Sequence, residues 1–391
     1  MLERNKQHSR HSALDAESHG IAGQARNDGR IRNDVPLLPF SLLLFSLLLF
    51  SCLHRPAQPP KYIFFFIGDG LGIGSLTYSE IIAKENGDTL VFSQFPVTGL
   101  ITTHPANDWV TCSAAAATAL ASGEKTNNYM LNVAPDSVRI LTPVSKILQK
   151  KGYGIGVAST VSLDHATPAG FYAHSIYRKN YYDIARQLTV SGFQFFAGAG
   201  FIDPNPEDSV SIFTLLKENN YAISTSIEAV SKSNSLKNIL IQPQGKDNKQ
   251  LPYSIYKDKS DFTLAQITQL GIEKLSAQNK PFFFMIEGGL IDWANHDNLP
   301  EESYGEVKEF SEAIAVALAF YKKHQKKTLI VVTADHETGG AAVFSEGLNF
   351  LTGEHTGNIV PVFAIGAGAE KFSGFYDNTE IVKKVSRMFG F

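Results

Sequence analysis

Residues 109–123 carry the sequence W-V-T-C-S-A-A-A-A-T-A-L-A-S-G. Alanine is the best helix former and glycine readily adopts the left-handed conformation that ends a helix, so this run predicts a helix from about Ser113 to Gly123. The unpaired N–H groups and the positive dipole end of a helix N-terminus favour an anion. Ser113 is therefore a candidate nucleophile that can carry a phosphoryl group; the alternative is an N-cap serine with no chemical role.

The composition of the chain limits the classes of partner. The protein has 391 residues, with Lys+Arg 35 against Asp+Glu 38 and a net charge of −3. A chain of this length can bury a full core in one large domain or in two ordinary ones. The near-neutral charge balance gives no electrostatic basis for binding nucleic acid, so we expect a small-molecule partner.

The first 60 residues differ in composition from the rest. Residues 1–34 are polar and lack an apolar period, which predicts a disordered leader or a start codon assigned too early. Residues 35–52 form a Leu/Phe-rich run that ends at Cys52; its length allows a membrane span, but its pattern favours an export signal of the bacterial lipoprotein type. Residues 53–60 are a proline-containing tether. We expect an exported protein, either periplasmic or anchored in a membrane through lipidated Cys52.

Beyond the tether, strand and helix patterns alternate without a repeat. The first predicted strand, residues 62–67, is the apolar run Y-I-F-F-F-I, which is typical of a parallel strand buried on both faces. The alternation predicts an α/β fold with a largely parallel sheet. Further strands are predicted at residues 154–159, 193–197, 238–241, 281–287, 328–333 and 359–365, and helices at 142–150, 181–190, 262–277, 301–324 and 379–388.

Metal-binding residue types lie beside four of these strands. Asp292 and His296 are four residues apart, so a helical turn would place them on one face. Imidazole with carboxylate suits zinc, whereas carboxylates with a hydroxyl suit magnesium. Together with Ser113, these clusters predict metal-assisted phosphoryl transfer. The stretches are Asp69 after the first strand, E-G-G-L-I-D-W-A-N-H from Glu287, D-H-E-T-G from Asp335 and G-E-H-T-G from Gly353.

Six motifs follow one another along the chain: G-D-G-L-G, S-A-A-A-A-T-A, H-A-T-P-A-G-F-Y-A-H-S-I-Y-R, E-G-G-L-I-D-W-A-N-H, T-A-D-H-E-T-G-G and E-H-T-G. In these motifs the chain closely resembles the alkaline phosphatase family. The resemblance runs from about Lys61 to the C-terminus, which makes residues 61–391 the expected catalytic domain. It implies a three-layer α/β/α sandwich and an enzyme that hydrolyses small phosphate monoesters.

The resemblance also implies two zinc ions, one magnesium ion and a double displacement. Ser113 would attack phosphorus and form a phosphoserine, which water then cleaves. Arg178 matches the phosphate-binding arginine of the family, whose planar fork can bind two phosphoryl oxygens. The implied ligands are Asp292, His296 and His355 for the first zinc; Asp69, Asp335 and His336, with Ser113 as the reacting ligand, for the second; and Asp69, Thr167 and Glu287 for magnesium.

Three positions beside these ligands depart from the best-known bacterial pattern. Cys112 stands where most members carry an aspartate that pairs with the arginine, so we expect Arg178 to be more mobile here. We interpret Cys112 itself as a small buried apolar residue. His165 and Trp293 resemble the versions found in several marine and cold-adapted bacterial members, and all three are candidates for contacts behind the metal ligands.

Alternative functions remain at this stage. A phosphodiesterase, a phosphonate hydrolase or a sulfatase would share the two-metal platform, but the chain lacks the C/S-x-P-x-R motif of sulfatases around Cys112 and Ser113. A catalytically inactive zinc-binding lipoprotein would need neither Ser113 nor Arg178. The short separation of His336 and His355 indicates a compact version of the family, so we expect either a monomer or a homodimer.

Overall fold

A computed structural model describes residues 58–243 and 247–390. The predictions for residues 1–34 and 35–52, with Cys52, lie outside the described residues, as does most of the 53–60 segment. Among the helices of the described ranges, none combines the length and the hydropathy that a membrane-spanning segment needs.

The centre of the described structure is a ten-stranded sheet. Its strand order is β14-β2-β13-β8-β1-β7-β3-β4-β6-β5, and β13 alone within this sheet runs antiparallel to its neighbours. Short strands outside it form two small ladders, β10 with β11 and β9 with β12. The strands are β1 (Tyr62–Gly68), β2 (Val97–Thr102), β3 (Gly154–Ser159), β4 (Phe195–Gly198), β5 (Ala222–Ser224), β6 (Asn238–Ile241), β7 (Phe282–Gly288), β8 (Thr328–Ala334), β9 (Glu337–Thr338), β10 (Ala342–Phe344), β11 (Gly347–Asn349), β12 (His355–Thr356), β13 (Val360–Gly366) and β14 (Gly374–Asp377).

Helices connect the parallel strands. They are α1 (Ile73–Glu85), α2 (Ser113–Ser122), α3 (Val144–Lys150), α4 (Ala166–Ala169), α5 (Tyr181–Thr189), α6 (Ile212–Glu218), α7 (Ile227–Lys232), α8 (Leu264–Ser276), α9 (Leu290–His296), α10 (Pro300–His324) and α11 (Thr379–Met388).

The phenylalanines of β1 show that both faces of the sheet are covered. The rings of Phe64 and Phe66 pack edge-on against Phe320 and Phe310 of α10, with centroids 5.6 and 5.8 Å apart. Successive side chains of a strand point to opposite faces, and Phe65 accordingly packs on the other side against Phe171, 5.8 Å away. The sequence prediction of a three-layer α/β fold with a largely parallel sheet is confirmed.

The predicted elements differ from the observed ones mainly at their ends. The strand at 238–241 and the helix at 379–388 have the predicted bounds, whereas the strand predicted at 193–197 is Phe195–Gly198. The polar region 204–260, predicted as surface structure around one strand, also contains α6, α7 and β5. Strands β2 and β14 were not predicted; β2 pairs with β13 and β14 pairs with β2, and both pairings join segments that are distant in sequence.

Candidate active site

Ser113 is the first residue of α2 and is buried. Cys112 has an extended backbone, with φ −93° and ψ 161°, and its carbonyl accepts the N–H of Ala116 at 3.0 Å. Cys112 is therefore the N-cap residue, and the alternative in which Ser113 caps the helix is wrong. The helix ends at Gly123, where φ is 77°, as the sequence predicted.

The Ser113 hydroxyl lies against a cluster formed by the ends of two neighbouring strands. Gly68 pairs with Ala334 in the parallel ladder of β1 and β8, so Asp69 and Asp335 follow at adjacent positions. Nε2 of His336 lies 3.3 Å from an Asp69 carboxylate oxygen, 3.2 Å from an Asp335 oxygen and 3.3 Å from Oγ of Ser113. The structure thus brings together Ser113 and its three predicted neighbours. The side chains of Asp69, Asp335 and His336 are fully buried.

A second cluster contains Asp292, His296 and His355. Asp292 and His296 share a face of α9, as predicted, with 3.4 Å between carboxylate and Nε2, and Nε2 of His355 lies 3.5 Å from Asp292. Each imidazole places Nδ1 against a backbone carbonyl: that of Gly353 for His296, at 2.5 Å, and that of Thr111 for His355, at 2.8 Å. Since Nδ1 donates in both contacts, the two Nε2 atoms, 3.0 Å apart, face the same point.

Thr338 joins the two clusters and was not identified from the sequence. Its hydroxyl donates to a carboxylate oxygen of Asp292, and it lies 3.2 Å from Nδ1 of His336. Because the Thr338 proton is used on Asp292, the hydroxyl oxygen accepts from Nδ1 of His336, which leaves Nε2 of that ring as an acceptor.

A third group surrounds the other side of Asp69. The Thr167 hydroxyl, on α4, donates to Asp69 at 3.2 Å. Glu287, near the end of β7, accepts a hydrogen bond from the Ser159 hydroxyl at the end of β3. Asp69, Glu287 and His165 each offer one atom that could bind a metal ion, and these three atoms lie within 4.8 Å of one another. Asp69 is thus shared between this group and the His336 cluster.

Arg178 reaches the same region and contacts His165. Nη2 of Arg178 lies 3.0 Å from Nε2 of His165, which is nearly fully buried. The His165 ring also packs edge-on against Trp293, with centroids 6.4 Å apart. Of the three departures from the bacterial pattern, His165 and Trp293 therefore contact each other, and His165 contacts the arginine.

Cys112 packs against the hydrophobic core, as its interpretation as a small buried apolar residue predicted, but it is only half-buried. Its Sγ accepts the backbone N–H of Tyr129 at 3.0 Å, and its own N–H donates to Oδ1 of Asn128 at 2.8 Å. These two hydrogen bonds connect Cys112 to the loop that contains Asn128 and Tyr129.

The buried carboxylates make this region strongly electronegative when they are ionised. Burial, followed by the charge of Asp335, raises the pKa of Asp69 well above its usual range. Burial likewise raises the pKa of Glu287 to about 7 and that of Asp335 to about 8. Although burial opposes it, the hydrogen bond and charge of Asp292 raise the pKa of His296 to about 9. A bound cation would relieve this repulsion and displace protons.

Two of the residues that the sequence analysis missed had a usable signal. Ser159 is the last residue of a strand that was predicted with its correct bounds, and ligands gather at the carboxyl ends of parallel strands. Thr338 lies inside the T-A-D-H-E-T-G-G motif, two residues after His336. Asn128 had no such signal, because it lies outside the motifs and reaches Val110 and Cys112 only through the folded structure.

Comparison with known proteins agrees with this architecture. A family model described as "Alkaline phosphatase" matches residues 60–194 and 244–349. "Alkaline phosphatase 3" of Bacillus subtilis is 30% identical over 83% of this chain and 88% of the relative. The structure of the alkaline phosphatase from the Antarctic bacterium TAB5 is 34% identical, with a TM-score of 0.76 over 86% of this chain and 99% of that one. The cold-active alkaline phosphatase of a psychrophilic Shewanella species is 27% identical, with a TM-score of 0.75 over 84% and 99% of the two chains.

The family model covers more than half of the chain, and the fold, the strand-end clusters and the buried serine agree with that match. The chain therefore belongs to the alkaline phosphatase family and is a metal-dependent phosphatase.

Proposed function

We propose that this enzyme hydrolyses phosphate monoesters through a phosphoserine on Ser113, with two zinc ions and one magnesium ion. The observation that carries the proposal is the position of the Ser113 hydroxyl, 3.3 Å from Nε2 of His336 at the start of a ten-residue helix. The phosphoryl group of a substrate placed there would meet the N–H groups of the first helical turn.

The residues present fit the implied metal ions. Within the described residues, buried oxygens of Asp69, Asp335 and Glu287 have no hydrogen-bond partner, which is costly unless a cation binds them. Nδ1 of each imidazole in the two zinc clusters is occupied, which leaves Nε2 as the ligand atom. The proposed ligand sets are Asp292, His296 and His355 for one zinc, Asp69, Asp335 and His336 beside Ser113 for the other, and Asp69, Thr167 and Glu287 for magnesium.

When bound, the zinc ions would supply positive charge that favours an ionised hydroxyl and a departing oxygen. The residues of the chain perform the remaining steps. Oγ of Ser113 attacks phosphorus, the bond from phosphorus to the ester oxygen breaks, and the alcohol leaves. Water then attacks the phosphoserine, the bond from phosphorus to Oγ of Ser113 breaks, and inorganic phosphate is released.

Arg178 would bind two non-bridging phosphoryl oxygens through both steps, because its fork matches their spacing. His165 holds one end of that fork at Nη2. The helix N-terminus at Ser113 provides a second, fixed positive pole. Two positive groups on separate segments would orient the phosphoryl group for attack by Oγ.

The test is a comparison of a phosphate monoester, a phosphate diester and a sulfate ester, with metal analysis of the same sample. We expect the monoester to have by far the highest kcat/KM, with close to two zinc ions and one magnesium ion per chain. Chelation should abolish turnover and lower the Tm, and zinc with magnesium should restore both. A higher kcat/KM for the diester or the sulfate ester would refute the monoesterase proposal, and full activity without bound metal would refute the ligand sets.

A further inference from the structure

Three exposed aromatic side chains lie on the segments that lead to Ser113 and Arg178. They are Trp109, Tyr129 and Tyr177, with 88%, 53% and 43% of their surface exposed. We call these three residues the aromatic rim. Trp109 lies four positions before Ser113, and Tyr177 directly precedes Arg178. Exposed aromatic rings leave apolar surface available for contact, and these three lie on the two segments that carry Ser113 and Arg178.

Asn128 ties the segment of Trp109 to the loop of Tyr129. Its side-chain N–H donates to the carbonyl of Val110 at 2.9 Å, and its Oδ1 accepts the N–H of Cys112 at 2.8 Å. Its backbone N–H also donates to Oδ1 of Asn107 at 2.9 Å. Both segments are therefore fixed to each other on the two sides of Trp109, directly before the nucleophile.

A second set of hydrogen bonds fixes Tyr129 beside Arg178. The N–H of Arg178 donates to the carbonyl of Tyr129 at 2.8 Å, and Leu131 and Ser175 exchange two hydrogen bonds of 2.8 Å. The rings of Tyr129 and Tyr177 then lie with centroids 6.3 Å apart at 50°. The two rings therefore belong to residues that adjoin the backbone of Arg178, whose side chain would bind the phosphoryl group.

The backbone of Tyr129 is itself unusual, since its φ is 69°. A bulky residue at positive φ is strained, and Gly or Asn would adopt this conformation at lower cost. Such strain persists where surrounding contacts impose it, and it is concentrated at functional sites. The backbone of Tyr129 is bound at both ends, its N–H by Sγ of Cys112 and its carbonyl by the N–H of Arg178, while its exposed ring adds no core packing.

We propose that the aromatic rim binds the leaving group of the substrate by stacking, so that the enzyme favours monoesters whose leaving group carries a planar aromatic ring. The inference rests on the proposed function, because the phosphoryl group must occupy the site between Ser113 and Arg178. Stacking on Trp109 or on the Tyr129–Tyr177 pair supplies binding energy to aryl or nucleoside esters that a small aliphatic alcohol cannot obtain.

The test uses the Leu and Phe variants of the two tyrosines, W109L, and F375L as the control. Phe375 is an exposed aromatic residue on β14, outside the aromatic rim. Each enzyme is assayed with phenyl phosphate, adenosine 5′-monophosphate and glycerol phosphate. We expect Tyr129→Leu, Tyr177→Leu and Trp109→Leu to lower kcat/KM for at least one of the aromatic esters by about tenfold and to leave glycerol phosphate within about twofold. The Tyr→Phe variants and Phe375→Leu should behave as wild type.

Binding measurements separate this inference from the proposed function. Calorimetry with phenylphosphonate and methylphosphonate requires no turnover, and the Leu variants should weaken only the binding of phenylphosphonate. If the Leu variants lost equal affinity for phenylphosphonate and methylphosphonate, or lost none, the proposed role of the aromatic rim would be refuted. The proposal would also be refuted if light scattering showed a changed molecular mass in the Leu variants while their ligand preference stayed the same. That result would indicate that the three residues form a contact between copies of the chain. A wild-type enzyme that hydrolyses none of the esters would refute the proposed function, while the phosphonate measurement would still decide on the rim.

Discussion

The guanidinium of Arg178 is held by a buried histidine, with Nη2 of Arg178 3.0 Å from Nε2 of His165. Arginine only donates, so Nε2 of His165 must be the acceptor and Nδ1 carries the proton. Burial, followed by the charge of Arg178, lowers the pKa of His165 to about 3, which keeps the ring neutral. Nδ1 faces Glu287 at 4.0 Å. The sequence predicted a more mobile Arg178 because the usual aspartate is replaced by Cys112, and the structure shows that His165 offers the guanidinium a different partner.

Replacing His165 should weaken phosphate binding. In His165→Ala the guanidinium loses the acceptor that orients its fork, and hydrogen bonds to charged groups are among the stronger ones in proteins. We expect the inhibition constant for inorganic phosphate to rise about tenfold. His104→Ala, at a half-exposed histidine, is the control and should leave the constant unchanged. An unchanged constant in His165→Ala would show that Arg178 keeps its orientation without the histidine.

Ser113 should carry the phosphoryl group during turnover. Acid quenching with a labelled monoester should trap label on Ser113, since the helix N-terminus presents Oγ beside His336. Peptide mapping of the quenched enzyme is the measurement. Ser113→Ala should lose both label and turnover, whereas Ser122→Ala, in the last turn of the same helix, should retain both. Label on another residue would refute the phosphoserine proposal.

Cys112→Asp should tighten product inhibition. A carboxylate at this position can accept the N–H of Tyr129, as Sγ does now, and the family resemblance implies that it can also pair with the guanidinium of Arg178. Better orientation of Arg178 should lower the inhibition constant for phosphate about threefold to tenfold, and should lower kcat if product release limits turnover. Cys112→Ser is the neutral control. Weaker inhibition in Cys112→Asp would mean that loss of net positive charge outweighs orientation.

The stability of the enzyme should fall in alkali because of Glu306. Burial, followed by the charge of Glu309, raises the pKa of Glu306 from 4.5 to about 8. Between these two values the folded state retains a proton that the unfolded state has released, so the free energy of unfolding decreases as pH rises from about 4.5 to about 8.

Glu306→Gln removes this titration and can still accept the N–H of Ser254, now bound at 2.6 Å. Both proteins should have a lower Tm at pH 9 than at pH 6. The decrease should be smaller in Glu306→Gln than in wild type, by about 2–4 °C. Glu301→Gln, at an exposed position, is the control for calorimetry. Parallel pH profiles of wild type and Glu306→Gln would contradict the assignment.

We further propose that the chain is exported and anchored through lipidated Cys52. Cys52→Ser would remove the acceptor of the lipid, so active enzyme should move from the membrane fraction to the soluble fraction. Cell fractionation followed by a monoesterase assay measures this, and Cys112→Ser is the control for loss of a cysteine elsewhere. Firm membrane binding of Cys52→Ser would indicate that residues 35–52 remain as an anchor.

The sequence determined the elements whose patterns are local. The apolar run of β1, the alanine-rich helix from Ser113 and the spacing of Asp292 and His296 were each predicted correctly, because side-chain periodicity and helix propensity act within a few residues. The motif resemblance also identified the residues of both proposed zinc clusters. Their arrangement followed because parallel strands end at one edge of a sheet.

The tertiary structure alone decided the contacts between distant segments. It placed Thr338 between Asp292 and His336, gave Arg178 the partner His165, and set β13 antiparallel in the sheet. None of these has a local signal, because each depends on which loops the folded core brings within hydrogen-bonding distance. The positive φ of Tyr129 likewise has no local signal, and it occurs where the backbone of Tyr129 contacts the distant residues Cys112 and Arg178.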